Sequence, residues 1–267
     1  MEQDYAPKLG DKEVSQVISK LGIKKTNTKI WQLLVLGVLA GLYISFGGQL
    51  FLVTVASGMS EVVGGVMFSV GLILVVIAGA ELFTGNLTII VGVLSGMIKK
   101  RKMLANWVTV YIGNFVGSIL FAWFMSRSGL FGAPGALNDL GEMAAQVAAA
   151  KLAIPFWQAV IRAVFCNMLV ILAIIMSVMA RDIVSKIFAI VFPIAAFVAC
   201  GFEHSVANMF LIPIGMLVEG TSLLGTLEAF QNIIPVTLGN LIGGILILVI
   251  HPNRIRQIQM LVAGKGG

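Results

Sequence analysis

Long apolar runs alternate with short polar ones along nearly the whole chain. A run of about 20 apolar residues is long enough to cross a bilayer as a helix. Six stretches meet that length, at 30–53, 62–97, 105–125, 155–180, 187–218 and 233–250. The second and fifth are too long for one straight crossing, and each carries a polar interruption, AELFTGN at 80–86 and FEHSVAN at 202–208. The first 29 residues are polar and mixed in charge, and they do not read as a cleavable signal. Within them, EVSQVISKLGI has the pattern of a short amphipathic helix lying on a membrane surface.

Composition supports the membrane reading. Hydrophobic residues make up 58% of the 267, charged residues 11%, and the mean hydropathy is +1.00. A soluble domain carries about 25% charged residues, so a water-soluble globule is excluded. The net charge of +6 is unevenly placed. Lys8, Lys12, Lys20, Lys24, Lys25 and Lys29 precede the first run, and KKRK (Lys99, Lys100, Arg101, Lys102) follows the second. Arg181 and Lys186 follow the fourth run, and Arg254, Arg256 and Lys265 follow the sixth. The opposite loops hold only Arg127 and Lys151 as cations, beside Asp139, Glu142, Glu219 and Glu228. The positive-inside rule then predicts a multi-pass protein of the cytoplasmic membrane with both termini cytoplasmic. The basic excess reflects topology, its partner is the lipid bilayer, and nucleic-acid binding is not supported. Cys166 and Cys200 both fall inside runs, with no spacing that suggests a metal site or a disulfide framework; they read as small buried hydrophobes.

The chain also resembles itself. WQLLVLGVLAG from Trp31 has a counterpart in WQAVIRAVFCN from Trp157, and YIGNFVGSILF around Asn114 one in TLGNLIGGILI around Asn240, both offset by 126 residues. AELFTGN and FEHSVAN each place a glutamate five residues before an asparagine, at an offset of 122. Each half holds three crossings, an odd number, so the second half must insert upside down relative to the first. The expected architecture is an all-α membrane protein of six transmembrane helices in an inverted 3+3 repeat, with helices 2 and 5 broken at mid-membrane. Irregular backbone at membrane depth is tolerated only when buried in protein or lining a cavity, so the two breaks should face one another across a central site. Three units follow: a cytoplasmic amphipathic segment 1–29, a channel unit 30–252 (repeats at about 30–127 and 155–252), and a cytoplasmic tail 253–267. Gly113-x-x-x-Gly117 and Gly239-x-x-x-Gly243 are small-residue faces suited to helix packing within one protomer. For Asn114 and Asn240 beside them, tying helices together and touching a substrate both stay open.

His204 lies inside a run, whereas His251 stands at the end of the last one. Ionisable side chains at membrane depth are costly and usually mark a substrate or proton pathway. Glu81 and Glu203 occupy equivalent slots, either as a proton or cation relay or as acceptors for backbone N–H groups that the breaks release. Thr84 in the first break can face His204 across the centre. Lys151 reads as an anion-steering vestibule lysine or a solvated loop residue, and Arg162 as an interfacial residue rather than a pore one. His204 next to Ser205 is no nucleophile–base pair, since adjacent side chains diverge. No H-E-x-x-H, Walker or dinucleotide pattern occurs, and neither an enzyme, a metal nor a cofactor is expected.

Taken together, GFEHSVANMFLIP, AELFTGN and the GNFVG/GNLIGG pair resemble the formate/nitrite transporter family. The resemblance implies an aquaporin-like protomer assembled as a homopentamer, with one pore per protomer for small anions. It implies a central histidine at His204 with Thr84 opposite, apolar constrictions at Phe68, Leu72, Leu82 and Phe197, a vestibule lysine at Lys151 and a pore-lining amide at Asn240. Glu81, Asn86, Glu203 and Asn208 then stabilise the loops. LFTGN, with its Gly85, is closer to the nitrite and hydrosulfide branches than to formate channels, which tilts the expected ion towards hydrosulfide. Two other readings are a proton-coupled carrier working through Glu81 and Glu203, and an aquaporin-type neutral-solute pore, whose paired Asn-Pro-Ala loops this chain lacks.

Overall fold

The computed structural model describes residues 11–250. Residues 1–10, the last two positions of the expected channel unit and the tail 253–267 lie outside the described residues. The described residues are mostly helical. In order come α1 (Asp11–Asn27), α2 (Ile30–Ala56), α3 (Glu61–Phe68), α4 (Val70–Leu74), a π-helical turn (Val75–Gly79), α5 (Phe83–Asn86), α6 (Ile89–Leu94) and α7 (Lys100–Met125). A two-residue β-ribbon (Gly132–Ala133 with Ala136–Leu137) leads into α8 (Asp139–Leu152). Then follow α9 (Phe156–Met179), α10 (Ile183–Ala199), α11 (Ser205–Val218), a 3-10 turn (Gly225–Ala229) and α12 (Phe230–Ile250).

Five helical stretches among the described residues are long and apolar enough to cross a membrane: Ile30–Ala56, Glu61–Gly79, Lys100–Met125, Phe156–Met179 and Gly225–Ile250. The run expected at 187–218 is divided into two shorter apolar helices, α10 and α11. The first interruption begins where the sequence suggests, at Ala80, and the second two residues earlier, at Cys200; both close sooner, with helix resuming at Phe83 and Ser205. In the first, the chain leaves the π turn through Gly79, whose φ of 87 lies in the left-handed region glycine favours, and Ala80 to Leu82 run without helix before α5 starts at Phe83. The second leaves α10 through Gly201 and restarts at Ser205. Glu81 and Glu203 thus lie in the non-helical segments, while Asn86 and Asn208 lie in the helices that follow.

The two glycine pairs do what their spacing predicts. A Cβ on Gly113 or Gly117 would overlap the carbonyls of Leu34 or Val38 on α2, and one on Gly239 or Gly243 those of Val160 or Val164 on α9. The α2–α7 pair is therefore repeated by the α9–α12 pair, residue for residue at the offset of 126. Tyr111 and Thr237, also 126 apart, hydrogen-bond to each other at 2.9 Å. Contact between equivalent residues places them at the pseudo-two-fold axis relating the halves.

Candidate central site and its two vestibules

A helix interrupted at membrane depth releases backbone groups that need partners. Here each break is closed by one asparagine. Asn114 Oδ1 accepts from the Phe83 amide (2.9 Å), and its Nδ2 donates to the Gly37 (2.8 Å) and Glu81 (2.9 Å) carbonyls. Asn240 repeats this with the Ser205 amide (2.8 Å) and the Ala163 (2.9 Å) and Glu203 (3.0 Å) carbonyls. Both side chains are fully buried. The reading of the two glutamates as acceptors for freed backbone N–H groups is corrected by this: the asparagines hold that role, because an amide side chain can accept from a freed N–H and donate to freed carbonyls, whereas a carboxylate only accepts. Asn240, expected on the pathway, has both N–H groups and its oxygen engaged by backbone, which places it as a clamp between α9, α12 and the break.

The glutamates instead face lysines. Lys25 Nζ, near the end of α1, donates to Glu81 Oε2 (2.7 Å) and Asn86 Oδ1 (2.8 Å). Asn86 Nδ2 donates to Glu81 Oε2 (2.7 Å) and Asn106 Oδ1 (2.9 Å), and Asn106 Nδ2 returns to the Lys25 carbonyl (3.2 Å). In the second half Lys151, in the last turn of α8, pairs with Glu203 Oε1 at 2.8 Å. Asn208 Nδ2 donates to Glu203 Oε2 (2.6 Å) and Asn232 Oδ1 (2.7 Å), and Asn232 Nδ2 returns to the Lys151 carbonyl (2.8 Å). Lys151 is thus a helical, largely buried residue rather than a solvated loop lysine. Lys25 and Lys151, like Asn106 and Asn232, stand 126 apart, so α1 is the counterpart of α8 and belongs to the first repeat rather than preceding it. Reasoning from sequence missed Lys25, Asn106 and Asn232, although the repeat offset applied to polar residues picks them out.

Between the two networks lies one cross-repeat contact: Thr84 Oγ1 meets His204 Nε2 at 2.9 Å, with both residues buried. His204 is also the N-cap of α11, and its Nδ1 accepts the Ala207 amide at 3.2 Å. A neutral imidazole has one donor and one acceptor nitrogen. With Nδ1 accepting, the network assigns the proton to Nε2, which donates to the threonine. The Thr84 hydroxyl hydrogen is then left to donate elsewhere. Phe197 stacks against the ring at 6.0 Å and meets Phe68 edge-on at 5.8 Å.

A cavity of about 420 Å³ on the α1 side is lined by Lys25, Leu72, Glu81, Leu82, Gly85 and Asn86 among others. A second, of about 210 Å³ on the α8 side, is lined by Phe68, Lys151, Phe197, Glu203, His204 and Asn208, and also by the exposed Arg162, which sequence reasoning kept off the pathway. The four expected constriction residues divide between these two cavities, each no more than 3% exposed. Cys166 is buried as expected, whereas Cys200 is exposed at the end of α10.

The sequence matches the formate/nitrite transporter family over residues 12–252. The chain belongs to that family. Among its relatives, a probable formate transporter of Methanothermobacter thermautotrophicus is 41% identical over 255 residues, covering 87% of this chain and 91% of that protein. The formate channel FocA of Escherichia coli K12 is 36% identical, covering 86% and 88%. Two solved structures share the fold: an FNT family ion channel (TM-score 0.79, 29% identity, 88% of this chain and 95% of that one) and a pentameric formate channel with formate bound (TM-score 0.69, 33% identity, 82% and 94%). A multi-pass membrane protein of the formate/nitrite transporter family is therefore what the helices and the comparisons jointly describe.

Proposed function

We propose that this chain forms a channel for small monovalent anions of weak acids, of the formate, nitrite and hydrosulfide class, in the cytoplasmic membrane. In this reading the protomer crosses the bilayer six times, both termini are cytoplasmic, and five copies assemble with one pathway each. The observation that carries the proposal is the buried Thr84–His204 bridge set between two cavities, each with its own lysine.

The energetics point the same way. Stripping water from an ion costs several kcal/mol even after relaxation, so Phe68, Phe197, Leu72 and Leu82 alone exclude a bare anion. A hydrogen bond to a charged group returns about 1.5–3 kcal/mol, and the central pair offers the Thr84 hydroxyl hydrogen, polarised by the His204 Nε2–H that the same oxygen accepts. The neutral ring supplies hydrogen bonds rather than a proton, because losing the Nε2 proton would leave an imidazolate. Any proton that neutralises the anion therefore comes from solvent in a vestibule. An ammonium has three N–H donors. Lys151 places one of them on Glu203, whereas Lys25 is held by both Glu81 and Asn86. The α8-side vestibule is accordingly the better anion receiver.

Both glutamates are engaged by a lysine and an asparagine, which weighs against a carrier built on them. Within the anion class, Gly85 lines the α1-side cavity against Ile174 and tilts the reading towards hydrosulfide, while relatives named as formate channels tilt it towards formate. Flux into liposomes, compared for formate, nitrite and hydrosulfide across a pH series, tests both levels. Flux of at least one ion is expected, its rank order names the preferred one, and no flux of any of the three overturns the proposal.

A further inference from the structure

One end of the molecule carries cations that the site does not use. α2 and α7 pack side by side through their glycine faces and begin at the same end, α2 after Lys29 and α7 after Lys99. Neither start has a side-chain cap or an acidic residue in its first turn. The first turn of α7 is instead Lys100, Arg101 and Lys102, exposed together with Lys29 and Lys99. Lys102 Nζ is held by Asn27 Oδ1 at 2.6 Å, which draws the end of α1 into the cluster. Cations at a helix N-terminus oppose the helix dipole, which favours anions there. None of the five cations is in an ion pair among the described residues. Glu81 is held by Lys25, and Asp182 accepts the Ser185 amide.

Directly beyond the cations, α7 turns apolar on one exposed line. Leu104, Val108 and Ile112 follow four residues apart and are 53%, 59% and 50% exposed. Trp31, 62% exposed, stands at the same level on α2; an indole at this depth suits the boundary between headgroups and acyl chains. An anionic lipid supplies what is missing, a phosphodiester for the cations and acyl chains for the α7 line.

We infer that the paired starts of α2 and α7 form a binding surface for anionic phospholipid, with the phosphodiester held by Lys99, Lys100 and Arg101. The inference needs only the membrane-spanning architecture and does not depend on which solute the pathway conducts. The test uses the purified full chain in mild detergent, titrated with dioctanoyl phosphatidylglycerol or dioctanoyl phosphatidylcholine while the thermal unfolding midpoint is followed. Phosphatidylglycerol should raise the midpoint at roughly tenfold lower concentration than phosphatidylcholine, as expected when several surface cations each favour the anionic headgroup. That preference should vanish in K99Q/K100Q/R101Q and persist in K99R/K100R/R101K. In the wild-type protein it should also shrink as salt rises from about 0.05 to 0.5 M. Equal responses to the two lipids, a preference that survives the glutamine variant, or the same effect from glycerophosphate without acyl chains would each overturn the inference. If the glutamine variant does not fold, the wild-type lipid comparison and its salt dependence still decide.

Discussion

His204 holds two positions at once: its Nδ1 caps α11 and its Nε2 faces Thr84. A replacement that keeps both a cap and a donor should therefore be milder than one that keeps neither. Asparagine is a strong N-cap, and losing such a cap costs about 1 kcal/mol. His204→Asn is expected to retain measurable anion flux, whereas His204→Phe abolishes it; oligomeric state by native mass spectrometry checks that both variants still assemble. Thr84→Val, which installs the residue type of its counterpart Val206, should lower flux without destabilising the fold. His204 was legible in the sequence because an ionisable residue inside an apolar run is rare, and Thr84 because it is the hydroxyl in the matching break. Lys25 was not, because it lies in a polar amphipathic stretch and its partner Glu81 is 56 residues away. Nothing local distinguishes it from Lys24.

Among the elements, the two interrupted helices are held by Asn114 and Asn240 rather than by the glutamates beside them. Truncating either asparagine leaves two buried backbone groups of the break unpartnered, the Phe83 or Ser205 amide and the Glu81 or Glu203 carbonyl, at about 1–3 kcal/mol each before relaxation. Asn240→Ala and Asn114→Ala should each lower unfolding free energy by several kcal/mol in a chemical-denaturation series. Asn208→Ala removes contacts only to side chains and should cost less. Helix α10 has a titratable cap: Asp182 accepts from Ser185, and those hydrogen bonds hold its carboxyl below the usual carboxylate range. A depressed folded-state pKa stabilises above the unfolded value of about 3.9 and is lost as pH falls through the folded one. Asp182→Asn, an equally good cap, is expected to flatten that acid-side loss in a pH series of melting curves while leaving neutral-pH stability unchanged. Polar interruption marked both breaks in the sequence. Both close sooner than the polar runs do, because helix already restarts at Phe83 and Ser205, whose amides Asn114 and Asn240 accept.

For the whole molecule, a four-residue network of lysine, glutamate and two asparagines occurs twice, once at each vestibule. The internal repeat was readable from tryptophan and asparagine spacing, but its extent was not, since α1 resembles a surface helix until its lysine is seen to reach Glu81. Breaking a fully buried pair by removing one partner costs roughly 3–5 kcal/mol, and Lys25 and Glu81 keep 23% and 13% side-chain exposure. Lys25→Ala should therefore destabilise by less than that, yet by more than a surface lysine would, as a denaturation midpoint will show. Glu81→Gln with Glu203→Gln separates channel from carrier: flux that persists in the folded double variant supports the channel, and flux lost with the fold intact supports the carrier.

Tyr111 touching Thr237 has an evolutionary consequence. Two identical half-length chains, inserted in opposite senses, would have to set the same residue against itself at that point. The same restriction would apply at the centre, where the counterpart of His204 is Leu82 and that of Thr84 is Val206. Two identical halves bearing both residues would present two such bridges, never a single one. Within one chain the equivalent slots are free to differ, and here they do, so the central bridge has a single polarity that exact symmetry would forbid.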